Sequence, residues 1–235
     1  MSICQERWGE VQDSNISQRI SRCVDRLVAE GAGGAEQYAR RLRDNAGNPS
    51  VLDDLCFEAR AAFMFLRNGF KVTLREKADL RLELGSEVVY AEVKHFRRKK
   101  QDRIDEEAML KATDLLVPIG DTTDTEGVHA WRQIVSVATS KANQYMEGAP
   151  NILVIQSGSE SLELMLSTAC DVYNSELPSK KDPRLRRLNA LMLVNTGLVG
   201  YARGGPCNVE FCLTKHATIS LSAELAEALS GITLG

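Results

Sequence analysis

The chain has 235 residues, 43% hydrophobic and 26% charged, enough for one large core or a core with a small appendage. Its formal net charge of −3 excludes nucleic-acid binding by bulk electrostatics, so any such binding must come from a local patch. No apolar run reaches membrane-spanning length, residues 1–10 are too polar for a secretory signal, and the six cysteines are scattered without a CxxC; the expectation is a cytoplasmic protein with reduced thiols and no membrane partner.

Residues 1–50 read as a polar helical region packed on the core. Residues 16–30 and 35–45 carry helical spacing, with the breaker "GAGG" between them. "NAGNPS" at 45–50 marks a soft boundary, and residues 51–235 form the main domain. Residues 51–67 predict an unusually apolar helix. After "NGF", residues 79–84 and 87–96 alternate as a hairpin around Gly85–Ser86. Residues 104–117 predict another helix, and residues 128–147 a long amphipathic one with the stripe Trp131, Val135, Ala138, Ala142 and Tyr145. "NILVIQS" at 151–157 reads as a buried strand parallel to the one at 87–96. A helix at 161–173, strands at 189–195 and 208–214, and a final helix at 222–229 capped by Ser222 complete a mixed α/β chain.

The hairpin carries the chemistry. A two-residue turn pairs Leu84 with Glu87, Leu82 with Val89 and Leu80 with Ala91, and one step further sets Asp79 opposite Glu92. Opposed residues share a face, so Leu80, Leu82, Leu84, Val89, Ala91 and Val93 form an apolar face. Asp79, Arg81, Glu83, Tyr90, Glu92 and Lys94 form the other. A one-residue slip would scatter the apolar set across both faces. Two carboxylates held together repel unless a cation joins them, and a hard divalent ion, Mg²⁺ or Mn²⁺, suits oxygen ligands. A nearby lysine can orient or deprotonate a water, which is the logic of phosphodiester hydrolysis. The bland alternative is a solvated strand, where Glu-x-Lys is common.

Glu58 adds an independent signal. Its helical neighbours Leu55, Ala62 and Leu66 are apolar, so it projects from a buried stripe and needs a partner. Arg60 cannot share its face, which favours a lysine, a backbone donor or a water held by a metal. Lys141 and Gln144, at i and i+3 beside the apolar stripe of the long helix, complete the set.

This order of residues resembles the PD-(D/E)xK nuclease superfamily. The match runs over residues 51–157: Glu58 on an initial helix, "ADLRLELGSEVVYAEVK" as the D…ExK hairpin, "KANQY" on the following helix and the strand "ILVIQS". Ala78 stands where the name-giving proline would precede Asp79. The resemblance implies a restriction-endonuclease-like mixed sheet flanked by helices, with an N-terminal helical extension, and a Mg²⁺- or Mn²⁺-dependent nuclease acting on DNA ahead of RNA. It implies metal ligation by Asp79, Glu92 and the Val93 carbonyl. Lys94 would position or activate water, and Glu58 would hold a second metal or a water on the metal. Lys141 and Gln144 would be auxiliary polar groups. Arg97, Arg98, Lys99 and Lys100 would meet the nucleic-acid backbone. Cutting both strands of a duplex would call for a homodimer. The competing expectation is an inactive module of the same fold that binds nucleic acid or a protein.

Two other signals carry less. Cys207, Cys212 and His216 have a zinc-like spacing, but a strand would put the two cysteines on opposite faces. His95 follows Lys94 and points to the other side of the strand.

Overall fold

The computed structural model describes residues 16–96, 130–157, 166–195 and 208–234. The basic run Arg97, Arg98, Lys99 and Lys100, the helix expected at 104–117, the start of the helix expected at 161–173, and Cys207 lie outside the described residues.

Three helices come first: α1 (Ile16–Ala29), α2 (Ala35–Asp44) and α3 (Pro49–Arg67). Asn48 caps α3, its Oδ1 accepting from Val51 N at 3.3 Å, and Pro49 occupies the first turn, where no N–H is needed. The boundary read at residue 50 thus falls in the first turn of α3. Three antiparallel strands follow, β1 (Lys71–Leu74), β2 (Leu80–Leu84) and β3 (Glu87–Phe96). Then come α4 (Ala130–Ser140), β4 (Asn151–Ser157), α5 (Leu166–Glu176), β5 (Leu188–Asn195), β6 (Asn208–Leu213) and α6 (Ala223–Ser230).

The six strands form one open mixed sheet in chain order. β3, β4 and β5 run parallel at its centre, while β1–β2–β3 and β5–β6 are antiparallel. The hairpin register is as the alternation requires: Leu84 faces Glu87, Leu82 faces Val89 and Leu80 faces Ala91. The strand at 151–157 is indeed parallel to β3. β1 is an addition that the sequence reading did not contain.

Helices cover both sides. On one side α1, α2, α3 and α6 pack on Leu80, Leu82, Val89, Ala91, Val93, Ile152, Val154 and Met192. On the other, α4 and α5 pack on Leu153, Ile155, Leu191 and Leu193. Ile152 through Ile155 are fully buried, as a central strand covered on both faces must be.

The first two helices are built into this core rather than appended to it. Leu27, Tyr38 and Leu42 are buried in the same cluster as the sheet. "GAGG" docks on the sheet edge, with Gly33 N donating to Val72 O at 2.8 Å and Leu74 N to Gly33 O at 2.9 Å. Gly34 there has φ 75°, and a Cβ would lie 2.3 Å from the Leu74 carbonyl oxygen, so only glycine fits.

The amphipathic helix expected at 128–147 ends at Ser140 and tightens into a 3₁₀ turn at Lys141–Asn143. Thr139 and Ser140 both bond back to carbonyls of the preceding turn, Val135 O and Val137 O, which competes with continuing the helix. The expected stripe still faces inward: Val135, Ala138, Ala142 and Tyr145 are buried and Trp131 packs beside them.

Candidate active site

Strand lengths create the site. β3 continues to Phe96, but β2 begins only at Leu80, opposite Ala91. From Glu92 onward β3 has β4 on one side and, among the described residues, no strand on the other. This notch is open to groups from both helical layers.

Asp79 closes the near end of the notch. It stands one residue before β2, and its Oδ2 accepts the Val93 N–H at 2.8 Å. The Val93 amide therefore points into the notch. In a strand a residue's C=O leaves on the same side as its N–H, so the Val93 carbonyl points there too. Ala78, buried just before Asp79, is the one non-glycine with positive φ among the described residues, at 53°. A strained residue beside Asp79 means that surrounding packing, rather than local preference, sets this turn.

Glu92 sits in an apolar row. Its register partners are Leu153 and then Leu191, both buried, and Glu92 is itself only 3% exposed. A carboxylate there needs a partner. Lys141 supplies it: the 3₁₀ turn after α4 aims its Nζ at Glu92 Oε1. Gln144 closes that turn by donating its N–H to Lys141 O at 2.8 Å, and its side chain is half-buried. Both residues therefore lie on the 3₁₀ turn and its end, not on the long helix expected from the sequence.

Lys94, two residues along β3, points elsewhere. Its Nζ lies 4.0 Å from Asp54 Oδ2 and is about a third exposed. Asp54 is one helical turn before Glu58 on α3 and also stands 3.9 Å from His95 Nδ1. His95 packs beside Phe57, with ring centroids 6.0 Å apart.

Glu58 is buried on α3, as its apolar neighbours require. Its partner is neither a lysine nor a backbone group but Arg41 of α2, whose Nη2 donates to Glu58 Oε1 at 3.0 Å. Arg41 Nη1 lies 3.0 Å from Glu58 Oε2 yet directs a hydrogen bond to Arg75 O at 3.1 Å instead. Glu58 Oε2 is left as a buried oxygen with no hydrogen bond.

The carboxyls of Glu58, Asp79 and Glu92 are near enough to influence one another's acidity. Burial and then the Asp79 charge push Glu58 up to about 8, against the opposing pull of Arg41. Burial and Asp79 push Glu92 up to about 7, with Lys141 and Lys94 pulling it down. Burial also raises Asp79, although the Val93 N–H works the other way. For Lys141, burial alone would lower the pKa, but the Glu92 hydrogen bond and charge leave it raised.

Among the described residues, no three His, Cys, Asp or Glu side chains are gathered tightly enough to cage a metal as they stand. The donor set nonetheless fits a hard divalent ion. Glu92 is a buried carboxyl whose ionisation the half-buried Asp79 makes costlier, the Val93 carbonyl is directed at the same space, and Glu58 Oε2 accepts no hydrogen bond. Sequence reasoning missed Arg41 and Asp54. Asp54 had a usable signal, its i−4 spacing from Glu58; Arg41 had none, since it arrives from another helix. Comparison with known protein families, with characterised proteins and with solved structures finds no match to this chain.

No helix among the described residues is long and apolar enough to cross a membrane.

Proposed function

We propose that the chain is a divalent-metal-dependent nuclease with a restriction-endonuclease-like fold, hydrolysing phosphodiester bonds in DNA as an endonuclease. The observation that carries this reading is Glu92: a carboxyl in a core row, beside Asp79 at a strand notch, held by a lysine from another layer. A structural core has no use for that arrangement, because an apolar residue would be the more stable choice in the row. Mg²⁺ or Mn²⁺ bound by Asp79, Glu92 and the Val93 carbonyl would stabilise charge on a phosphate oxygen and acidify water.

The residues divide the remaining work. The Val93 N–H fixes the Asp79 carboxyl, and Lys141 fixes Glu92 while keeping positive charge at the site. Lys94, the more exposed lysine, rests near Asp54 but is close enough to pull the Glu92 pKa down, and in this reading it would turn toward the notch to orient the attacking water. Glu58 Oε2 can accept a proton or a hydrogen bond from that water. Arg41 limits how far Glu58 can move.

The test is cleavage of DNA and RNA in Mg²⁺ or Mn²⁺ by the wild-type protein, compared with Glu92→Ala and with EDTA. The proposal expects wild-type cleavage alone, abolished by EDTA. An inactive binding module would show salt-sensitive binding, no cleavage, and little change in Asp79→Ala or Glu92→Ala.

A further inference from the structure

A second basic cluster lies within the described residues, separate from the run at 97–100. In "SKKDPRLRR", at 179–187, Lys180, Lys181, Arg184, Arg186 and Arg187 accompany one acid, Asp182. The segment forms a 3₁₀ turn, Pro183–Arg187, leading into β5. Its backbone is pinned from several directions. Leu185 is buried, and Tyr173 Oη donates to Leu185 O at 2.7 Å. Thr218 N donates to Arg186 O at 2.7 Å, and Asp182 Oδ1 accepts from Arg184 N at 3.0 Å. The basic side chains are therefore displayed from a rigid turn, which reduces the ordering cost of any contact they make.

The turn is also tied to the proposed site. Arg184 Nη1 donates to Asn143 Oδ1, and Asn143 belongs to the same 3₁₀ turn as Lys141. Arg187 Nη1 donates to Tyr145 O at 3.2 Å, anchoring the end of that segment. Three of the five cations have an acidic neighbour: Lys180 has Glu176, Arg184 has Asp182 and Arg187 has Glu147. Lys181 and Arg186 are exposed and have no ion pair among the described residues. In a chain of net charge −3, fixed and uncompensated positive charge beside the site turn is the local patch that a polyanion requires.

We infer that the Lys180–Arg187 turn is a phosphate-binding surface for nucleic-acid backbone, reached by the strand as it leaves the Lys141 side of the notch. The inference rests on the nuclease reading for the direction of the strand but not for binding itself. Contacts of this kind hold phosphates without reading bases, so they add affinity and salt dependence but no sequence preference.

The experiment uses full-length protein in EDTA, where no cleavage occurs. Binding of fluorescently labelled single- and double-stranded DNA and RNA is measured by anisotropy over a range of salt concentrations. The wild type is compared with K181A/R186A and with R22A/K71A, which removes equal charge from exposed positions on α1 and β1. Two lost phosphate contacts should reduce the slope of log K against log salt by about 2 in K181A/R186A. Between 50 and 200 mM salt the wild type should then lose about tenfold more affinity than K181A/R186A. R22A/K71A should behave as wild type. No binding by wild type, an unchanged slope in K181A/R186A, or an equal change in both variants would overturn the inference. The same proteins assayed in Mg²⁺ separate the two ideas. Binding through Lys181 and Arg186 without cleavage keeps the surface and removes the nuclease, and cleavage with an unchanged slope does the reverse.

Discussion

Lys141 Nζ donates to Glu92 Oε1 across 49 residues of chain, joining the turn after α4 to the centre of the sheet. Lys94, the lysine in the same motif as Glu92, instead approaches Asp54. The two lysines should therefore fail differently when removed. Lys141→Ala frees the Glu92 carboxyl and leaves it without its cation, so the Mg²⁺ concentration for half-maximal cleavage should rise. Lys94→Ala should lower kcat by about a hundredfold or more with little change in Mg²⁺ requirement. Metal titrations of the cleavage rate decide it; the same Mg²⁺ requirement in both variants would refute the division of roles.

The notch should also make stability depend on pH. In the unfolded chain Glu58 and Glu92 ionise near their ordinary value of 4.5. In the folded, metal-free protein they hold protons up to about 8 and about 7. Between those limits the folded state binds more protons than the unfolded state. Stability contributed by these groups is complete below pH 4.5, falls as pH rises and is lost above about 8. A divalent ion needs the ionised forms, so Mg²⁺ should raise Tm more at pH 8 than at pH 6. Glu58→Gln should flatten the metal-free slope. Thermal melts in EDTA and in Mg²⁺ from pH 5 to 9 test both statements, and a Tm that climbs from pH 5 to 8 in EDTA would contradict them.

Arg41 and Glu58 should be coupled. Arg41→Ala leaves a buried carboxylate without its cation and should cost about 1–3 kcal/mol in urea unfolding at about pH 9, above the pH at which Glu58 ionises. In a Glu58→Gln background the same change should cost less, because no charge remains to be left unpaired. A double-mutant cycle measures the difference.

Ala78 permits an unusual test of the resemblance to the D…ExK nucleases. Their motif carries proline before the aspartate, yet Ala78 has φ 53° and proline is locked near −65°. Ala78→Pro should destabilise the protein and displace Asp79, whereas Ala78→Gly should keep the fold and the cleavage activity. Denaturant midpoints and activity on the same preparations compare them.

Gly34 links the first two helices to the notch. Gly34→Ala would drive a Cβ against the Leu74 carbonyl and lift α2, and Arg41 with it, away from α3. The expected result is a lower melting temperature together with reduced cleavage, measured against Gly47→Ala, where a Cβ meets nothing.

Much of this was legible because alternation and burial are local signals. The hairpin register follows from six apolar residues that fit only one pairing, and Glu58 betrays its burial by three apolar neighbours. β1 escaped because four residues, "KVTL", give too short a pattern, and the loop before β2 lacks a tight hairpin turn. The end of α4 escaped because Thr139 and Ser140 compete with the helix through side-chain bonds that an apolar stripe does not register. Arg41 was not predictable at all: its place beside Glu58 depends on how α2 docks, which is a property of the folded core.

The most direct measurement is nucleic-acid cleavage by purified wild-type protein and Glu92→Ala, on single- and double-stranded DNA and RNA, in Mg²⁺, in Mn²⁺ and in EDTA. The account predicts cleavage of DNA by the wild type with either metal, none in EDTA and none by Glu92→Ala. Equal cleavage by both proteins would contradict it, because the activity would then reside somewhere other than the notch around Asp79 and Glu92.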